Sequence, residues 1–248
     1  MRKPKKSRYP QKTATELAIV FDLDGTLVDS VYEHVISWKQ AFREHGLEVP
    51  GWMIHNKIGM SGSVLLRQLL TETRQKASPK KRKGIEALHK AHFNRRIPLI
   101  RSLPGVRELL HRLTRLGVRW AIGTGGDRKA VTALLEDLRI PVSVPIVTGD
   151  DVREAKPQPD IFMLSAERLG VSIHETIIVG DSVWDLLAAS RAKALSIGLL
   201  SGGYSRSDLE RAGAYRVYND PADLLTHLEE LGLPGDSFAL AAASRKIQ

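Results

Sequence analysis

Six short apolar runs, at 17–21, 118–123, 144–148, 176–179, 195–199 and 215–218, limit what this chain can fold into more than any other feature. They are rich in Val and Ile and continuous rather than alternating, the pattern of strands buried on both faces. Amphipathic stretches lie between them, at 105–116, 127–138, 159–169, 182–191 and 221–231. Gly117, Gly170 and Gly232 stand where the first, third and fifth of these should stop. Repeating strand–helix units predict an α/β fold: a doubly wound, Rossmann-like parallel sheet with right-handed crossovers.

One interval breaks the alternation. Between 31 and 101 the only periodicity is helical. It is carried by Val31, Val35, Trp38 and Phe42 in 31–45, by Val64, Leu65, Leu69 and Leu70 in 63–74, and by Ile85, Leu88 and Phe93 in 84–96. About seventy residues of helix are too many for a crossover. The expected organisation is a basic flexible tail at 1–16, an α/β core from 17–30 and 102–234, a helical cap domain at 31–101, and a loose tail at 235–248. A chain of 248 residues has room for one large domain with such an insertion.

The net charge of +9 points toward a polyanionic partner only if it is spread over the fold. It is not: residues 1–12 carry +6 and residues 72–83 carry +5, leaving −2 for everything else. A basic tail and a basic loop without interleaved aromatics argue against nucleic acid. The run LAIVF is too short for a signal-peptide core or a membrane span, and two prolines make the tail a poor transit helix, so no membrane association and a cytoplasmic location are expected. The absence of cysteine excludes disulfides and thiolate metal sites.

The first run ends in FDLDGTLVDS, where Asp22 and Asp24 project from one side of an extended chain and repel unless a cation or a shared proton intervenes. A calcium loop does not fit, because Gly25 falls at loop position 4, Thr26 at position 5, and a strand precedes where a helix is needed. Parallel strands bring their C-terminal ends to a common edge, and ligands of open α/β sheets bind there. Asp22 and Asp24, Thr124 in GTGGD, Lys156 in EAKPQPD, and Asp181 and Asp185 in GDSVWD follow four such ends. One carboxylate at a strand end is usually a cap or turn residue; four carboxylates, a hydroxyl and a lysine together fit phosphoryl transfer. Carboxylates can hold Mg²⁺, attack phosphorus and move the leaving-group proton, while hydroxyl, backbone N–H and ammonium groups grip the phosphoryl oxygens. Gly25, Gly125 and Gly126 let the backbone approach that anion.

These segments resemble the four motifs of the haloacid-dehalogenase-like superfamily, in order, over residues 17 to 232. The similarity extends to its small-molecule phosphatases, such as phosphoglycolate phosphatase, and to beta-phosphoglucomutase. The resemblance implies that Asp22 is the nucleophile and Asp24 the general acid/base. Asp22, the Asp24 carbonyl and Asp181 would hold Mg²⁺, with Asp185 behind them, and Thr124, Gly125 and Lys156 would bind phosphate. Asp24 separates the chain from the family's dehalogenases, which lack it. The expected function is Mg²⁺-dependent hydrolysis of a small phosphomonoester, phosphoglycolate-like or a sugar phosphate, through an aspartyl-phosphate. One alternative is a sugar phosphomutase using the same aspartates; another is a non-catalytic polyanion-binding protein on this fold. The partner expected is a small phosphorylated metabolite, and the state a monomer or homodimer. His55, Lys57 and Arg67 are the candidates for the substrate's far end, Asp29 for the N-cap of 31–45, and Trp38, Trp52 and Trp184 for packing. No histidine pair has zinc-like spacing.

Overall fold

The computed structural model describes residues 17–234, and the tails expected at 1–16 and 235–248 lie outside the described residues. Six parallel strands form one sheet: β1 (Ala18–Phe21), β2 (Arg119–Gly123), β3 (Ile146–Val147), β4 (Thr176–Gly180), β5 (Leu195–Leu199) and β6 (Arg216–Tyr218). Their order is β3-β2-β1-β4-β5-β6. The chain steps outward from β1 to β3 and then returns to β1's other side as β4, so β1 and β4 flank the switch point where such sheets bind ligands.

Successive residues of a strand face opposite sides. Ile19 and Phe21 accordingly join Ile122, Ile177 and Val179 on one face, under α5 (Val106–Arg115), α6 (Arg128–Leu135) and α10 (Pro221–Thr226). Val20 joins Ala121, Val147 and Ile178 on the other, against Ile161 and Phe162 of α7 (Asp160–Leu169) and Ala188 and Ala189 of α8 (Val183–Ala192). The continuous apolar runs arise because both faces are covered. The expected strand at 144–148 is only two residues long here, and the helices expected to reach 138 and 231 finish as 3₁₀ turns, Glu136–Leu138 and Leu228–Leu231. A short helix, α9 (Arg206–Arg211), was not legible in the pattern and is started by Ser205, which accepts from Asp208 N at 3.2 Å.

Residues 31–96 contribute helices alone among the described elements: α1 (Val31–Glu44), α2 (Gly51–His55), α3 (Gly62–Glu72) and α4 (Pro79–Arg96). They bury a cluster of their own around Trp38, Phe42, Ile54, Leu66, Leu69 and Ile85. The ion pair Arg96–Glu33 (2.8 Å) and the approach of His92 Nε2 to Glu44 Oε1 (2.9 Å) join α4 to α1. The basic stretch expected to be a loop is in part helix: Ser78 accepts from Lys81 N at 3.2 Å and Pro79 opens α4, so Lys80–Lys83 form its first turn. The N-cap of α1 is Ser30, not Asp29, which is exposed. No helix among the described residues is long and apolar enough to cross a membrane.

Leu69 is fully buried in the helical cluster, where truncation leaves a cavity that close-packed neighbours refill only partly. Leu69→Ala should lower stability by about 2–5 kcal/mol, measured as a shift of the urea midpoint without loss of the sheet's circular dichroism.

Candidate active site

The ends of the central strands set the first residues of the site. Asp22 follows β1, and its N–H donates to Val179 O of β4 at 2.8 Å. Thr124 follows β2 and donates to Val147 O at 3.0 Å. Asp181 follows β4, and Lys156 lies on the segment that leads from β3 into α7. Sheet hydrogen bonding therefore extends one residue past β1 and β2 and holds Asp22 and Thr124 in place.

Lys156 is buried, and its Nζ lies 2.5 Å from Asp22 Oδ1 and 2.7 Å from Asp185 Oδ1. Asp185 is aimed by its own helix start. Its Oδ2 accepts from Ser182 Oγ at 2.5 Å and from Ser182 N at 3.1 Å, a capping box on α8 that leaves Oδ1 for the ammonium. Apart from that ammonium, Asp22 Oδ1 and Asp185 Oδ1 accept no hydrogen bond although both are buried. Oxygens of Asp22, Asp181 and Asp185 all lie within 4.8 Å of one another.

Three buried carboxylates and one ammonium leave an excess of negative charge. Burial pushes the Asp22 carboxyl up to about 7, with Lys156 opposing and the Asp185 and Asp24 charges adding to the rise. Asp181 is pushed well above the usual carboxylate range by burial and by the charges of Asp185 and Asp22. Burial alone would lower Lys156, but Asp185 and Asp22 outweigh it and hold the ammonium above its ordinary value. The donor set is all oxygen, buried and under-neutralised, which suits a hard divalent cation.

The backbone makes room for this cluster at two glycines. Gly25 has φ +74°, and a Cβ there would sit 2.4 Å from Asp181 Oδ2. A Cβ on Gly202, in the turn after β5, would reach 1.9 Å from the same oxygen. Thr26 Oγ1 donates to Asp181 Oδ1 at 2.9 Å, which fixes that carboxylate's other side.

Asp24 is held differently. Its Oδ1 accepts from Ser30 Oγ at 2.5 Å and from His34 Nε2 at 3.2 Å. Burial would raise this carboxyl, but His34 and Ser30 prevail and keep it below its ordinary value. Since the carboxylate only accepts, His34 Nε2 carries a proton, and its Nδ1 lies 3.2 Å from His89 Nε2. The His34 ring stacks on Phe93 (3.7 Å between centroids) and the His89 ring on Trp38 (4.0 Å). Burial depresses His89 well below 6.5, so it stands as a neutral imidazole.

A cavity of about 360 Å³ opens over this cluster. Its core side carries Asp22, Asp24, Thr124, Gly125 and Lys156, and its helical side carries Trp38, Ser61, Ser63, Glu86 and His89. The structure thus brings together all the strand-end residues that the sequence singled out. The three candidates on the helical side are placed outside the cavity lining. His55 Nε2 donates to Gly202 O at 2.8 Å and stacks between Tyr32 and Tyr204. Lys57 pairs with Glu72 at 2.8 Å, and Arg67 is exposed because α3 turns Leu65, Leu66, Leu69 and Leu70 inward. With Trp184 Nε1 and Tyr204 Oη both donating to Asn56 O (3.1 and 3.0 Å), His55 clamps the helices to the core.

Sequence reasoning missed Ser30, His34, His89, Glu86 and Gly202. A signal existed for the first two, since a helix starting directly behind FDLDGTLVDS must carry its first turn past Asp24. His89 and Glu86 had none, because α4 reaches the site only through its packing on α1.

Comparison with known proteins agrees with this geometry. The family model "haloacid dehalogenase-like hydrolase" matches residues 17–193. The phosphoglycolate phosphatase of Escherichia coli (strain K12) is 31% identical over 236 residues, covering 87% of this chain and 92% of the relative. Hexitol phosphatase A of the same organism is 32% identical over 183 residues, covering 70% of this chain and 78% of the relative. The crystal structure of a hydrolase from Pseudomonas syringae superposes with a TM-score of 0.84 at 44% identity, covering 86% of this chain and 98% of that one. This chain belongs to the haloacid dehalogenase-like family of hydrolase enzymes.

Proposed function

We propose that the chain is a Mg²⁺-dependent phosphatase that hydrolyses a small phosphomonoester through an aspartyl-phosphate on Asp22. The observation that carries this reading is the buried Lys156 ammonium bridging Asp22 and Asp185, with Asp181 beside them, at the sheet's switch point. In this reading Asp22, Asp181 and the Asp24 carbonyl hold Mg²⁺, with Asp185 behind them, and residues 31–101 act as a cap over the site. When bound, Mg²⁺ neutralises the carboxylate excess and draws off charge from the phosphoryl oxygens.

Each protein group then has a separate task. Lys156 orients Asp22 and, with the Thr124 hydroxyl and the Gly125 N–H, grips the phosphoryl oxygens. An oxygen of Asp22 attacks phosphorus as the P–O bond to the leaving group breaks, and Asp24, which must carry a proton for this step, gives it to the leaving oxygen. Water then attacks the phosphorus, Asp24 takes its proton, and Asp22 is released as a carboxylate. The His34 and Ser30 contacts favour the ionised Asp24 that the second step needs. The helical layer supports the reading by shielding the acyl phosphate from bulk water.

Hydrolysis of p-nitrophenyl phosphate should require Mg²⁺ and release inorganic phosphate; transfer to a second sugar hydroxyl instead would mark a mutase. Asp22→Asn should abolish the activity, and an active variant would sink the nucleophile assignment. Asp24→Asn should lower kcat on alkyl phosphates by about 10²–10⁴-fold and less on p-nitrophenyl phosphate, whose leaving group needs little protonation.

Metal binding should be visible without turnover. A carboxyl raised on folding contributes stability that is fully present below its ordinary value of 3.8 and is lost as pH rises through about 7. Without metal, the Asp22 contribution to Tm should therefore fall between pH 5 and pH 8, and Mg²⁺ should restore it at pH 8. Gly202→Ala, which drives a methyl into Asp181, should weaken that Mg²⁺-dependent rise in Tm.

A further inference from the structure

β3 pairs with β2 at only two residues, Ile146 and Val147, yet the chain that leaves it stays fastened to the chain that leaves β2. Thr124 N donates to Val147 O at 3.0 Å, Gly149 N to Gly126 O at 2.9 Å, and Arg128 N to Asp150 Oδ2 at 2.9 Å. The approach is close: a Cβ on Gly149 would sit 2.6 Å from Gly125 O. These contacts run along 124–128, which carries the hydroxyl and the N–H given above to the phosphoryl oxygens. Two adjacent glycines, Gly125 and Gly126, leave that stretch conformationally free, so its shape rests on what it is fastened to.

The far end of the row is ionic and converges on one carboxylate. Asp151 Oδ2 accepts from the Arg128 guanidinium and from Thr148 N and Oγ1, the last two at 2.8 and 2.9 Å. Its Oδ1 accepts from Arg168 Nη2 at 3.1 Å, and Arg168 Nη1 donates to Ile146 O at 2.9 Å. Burial would raise the Asp151 carboxyl, but the Thr148 and Arg168 contacts prevail and hold it down to about 2. A capping box on the 3₁₀ turn Gly149–Asp151 accounts for the Thr148 contacts. It does not account for two arginines from two other helices, Arg128 at the first position of α6 and Arg168 near the end of α7. One charged group thus ties the loop before α6 to the segment that leads through Lys156 into α7. Thr124 and Lys156, which close on the same phosphoryl group, come from the two stretches so joined.

We propose that Asp151 is a positioning residue for the phosphate site: through Arg128 it sets where Thr124 and Gly125 stand relative to Lys156. Asp151 itself lies outside the cavity lining and acts only through these contacts. The proposal rests on the phosphatase reading above and deepens it.

The test measures the Kd of inorganic phosphate by calorimetry with Mg²⁺ present, and the kinetics of p-nitrophenyl phosphate hydrolysis, in Asp151→Asn and Arg128→Met. Arg128→Met leaves the capping box intact, so it isolates the link to the phosphate loop and carries the test alone if Asp151→Asn does not fold. Each variant should weaken phosphate binding by about tenfold or more. KM should rise by a similar factor with kcat nearly unchanged, because the loop grips the phosphoryl group in ground state and transition state alike. The double variant should lose no more than the weaker single one, since both break one link. The Mg²⁺-dependent rise in Tm should persist, because Asp22, Asp181 and Asp185 are held by other contacts. Phosphate binding unmoved in Arg128→Met, losses that multiply in the double variant, loss of the Mg²⁺ response, or a fall in kcat at constant KM (the mark of a smaller folded fraction) would overturn the proposal. An unaltered protein that neither binds phosphate nor hydrolyses p-nitrophenyl phosphate would overturn the phosphatase reading itself and this proposal with it.

Discussion

Three carboxylates are buried within a few ångströms of one another at the end of a parallel sheet, and one ammonium holds two of them together. Charges of like sign in a low-dielectric setting repel strongly, so Asp22, Asp181 and Asp185 need fixed partners to stay where they are. Lys156 supplies the attraction for Asp22 and Asp185. Ser182 and Thr26 occupy the remaining carboxylate oxygens of Asp185 and Asp181. The arrangement stays short of neutral, with three buried carboxylates to one ammonium. The surrounding architecture serves this point: β1 and β4 place two aspartates, the capping box of α8 aims the third, and Gly25 and Gly202 make space for Asp181.

The helical insertion depends on the same cluster from outside. α1 begins immediately after the first motif, so its first turn brings His34 onto Asp24. The aromatic stack of His34, Phe93, His89 and Trp38 then fixes α4 against α1, and this determines which α4 side chains face the cavity. On the other side, Asn56 and His55 are tied to the first turn of α8 and to the segment after β5. The helical layer is thus anchored at both ends to residues adjoining the carboxylate cluster.

Much of this was legible beforehand. The apolar runs located all six strands, because burial on both faces leaves a continuous signal that flanking residues do not obscure. β3 was overestimated, since it lies at the sheet edge, where only Ile146 and Val147 pair with β2. α4 was started late because its first turn is made of lysines and an arginine, which carry no apolar period; the Ser78–Pro79 cap was the signal to follow. Asp29 looked like a helix cap by type, yet Ser30 holds that position and turns its hydroxyl to Asp24.

The sequence by itself determined the sheet and the six strand-end residues, because strand burial and motif chemistry are written in short, local patterns. Which residues line the cavity from the helical side was decided only by tertiary structure. His55, Lys57 and Arg67 had suitable chemistry, but the packing of α3 and the Lys57–Glu72 pair turn them to other tasks. Glu86 and His89 are unremarkable in the chain and acquire their place from the α1–α4 contact alone. A helix of polar pattern can be rotated about its axis without changing its sequence signal; only the neighbour it packs against fixes the face it shows.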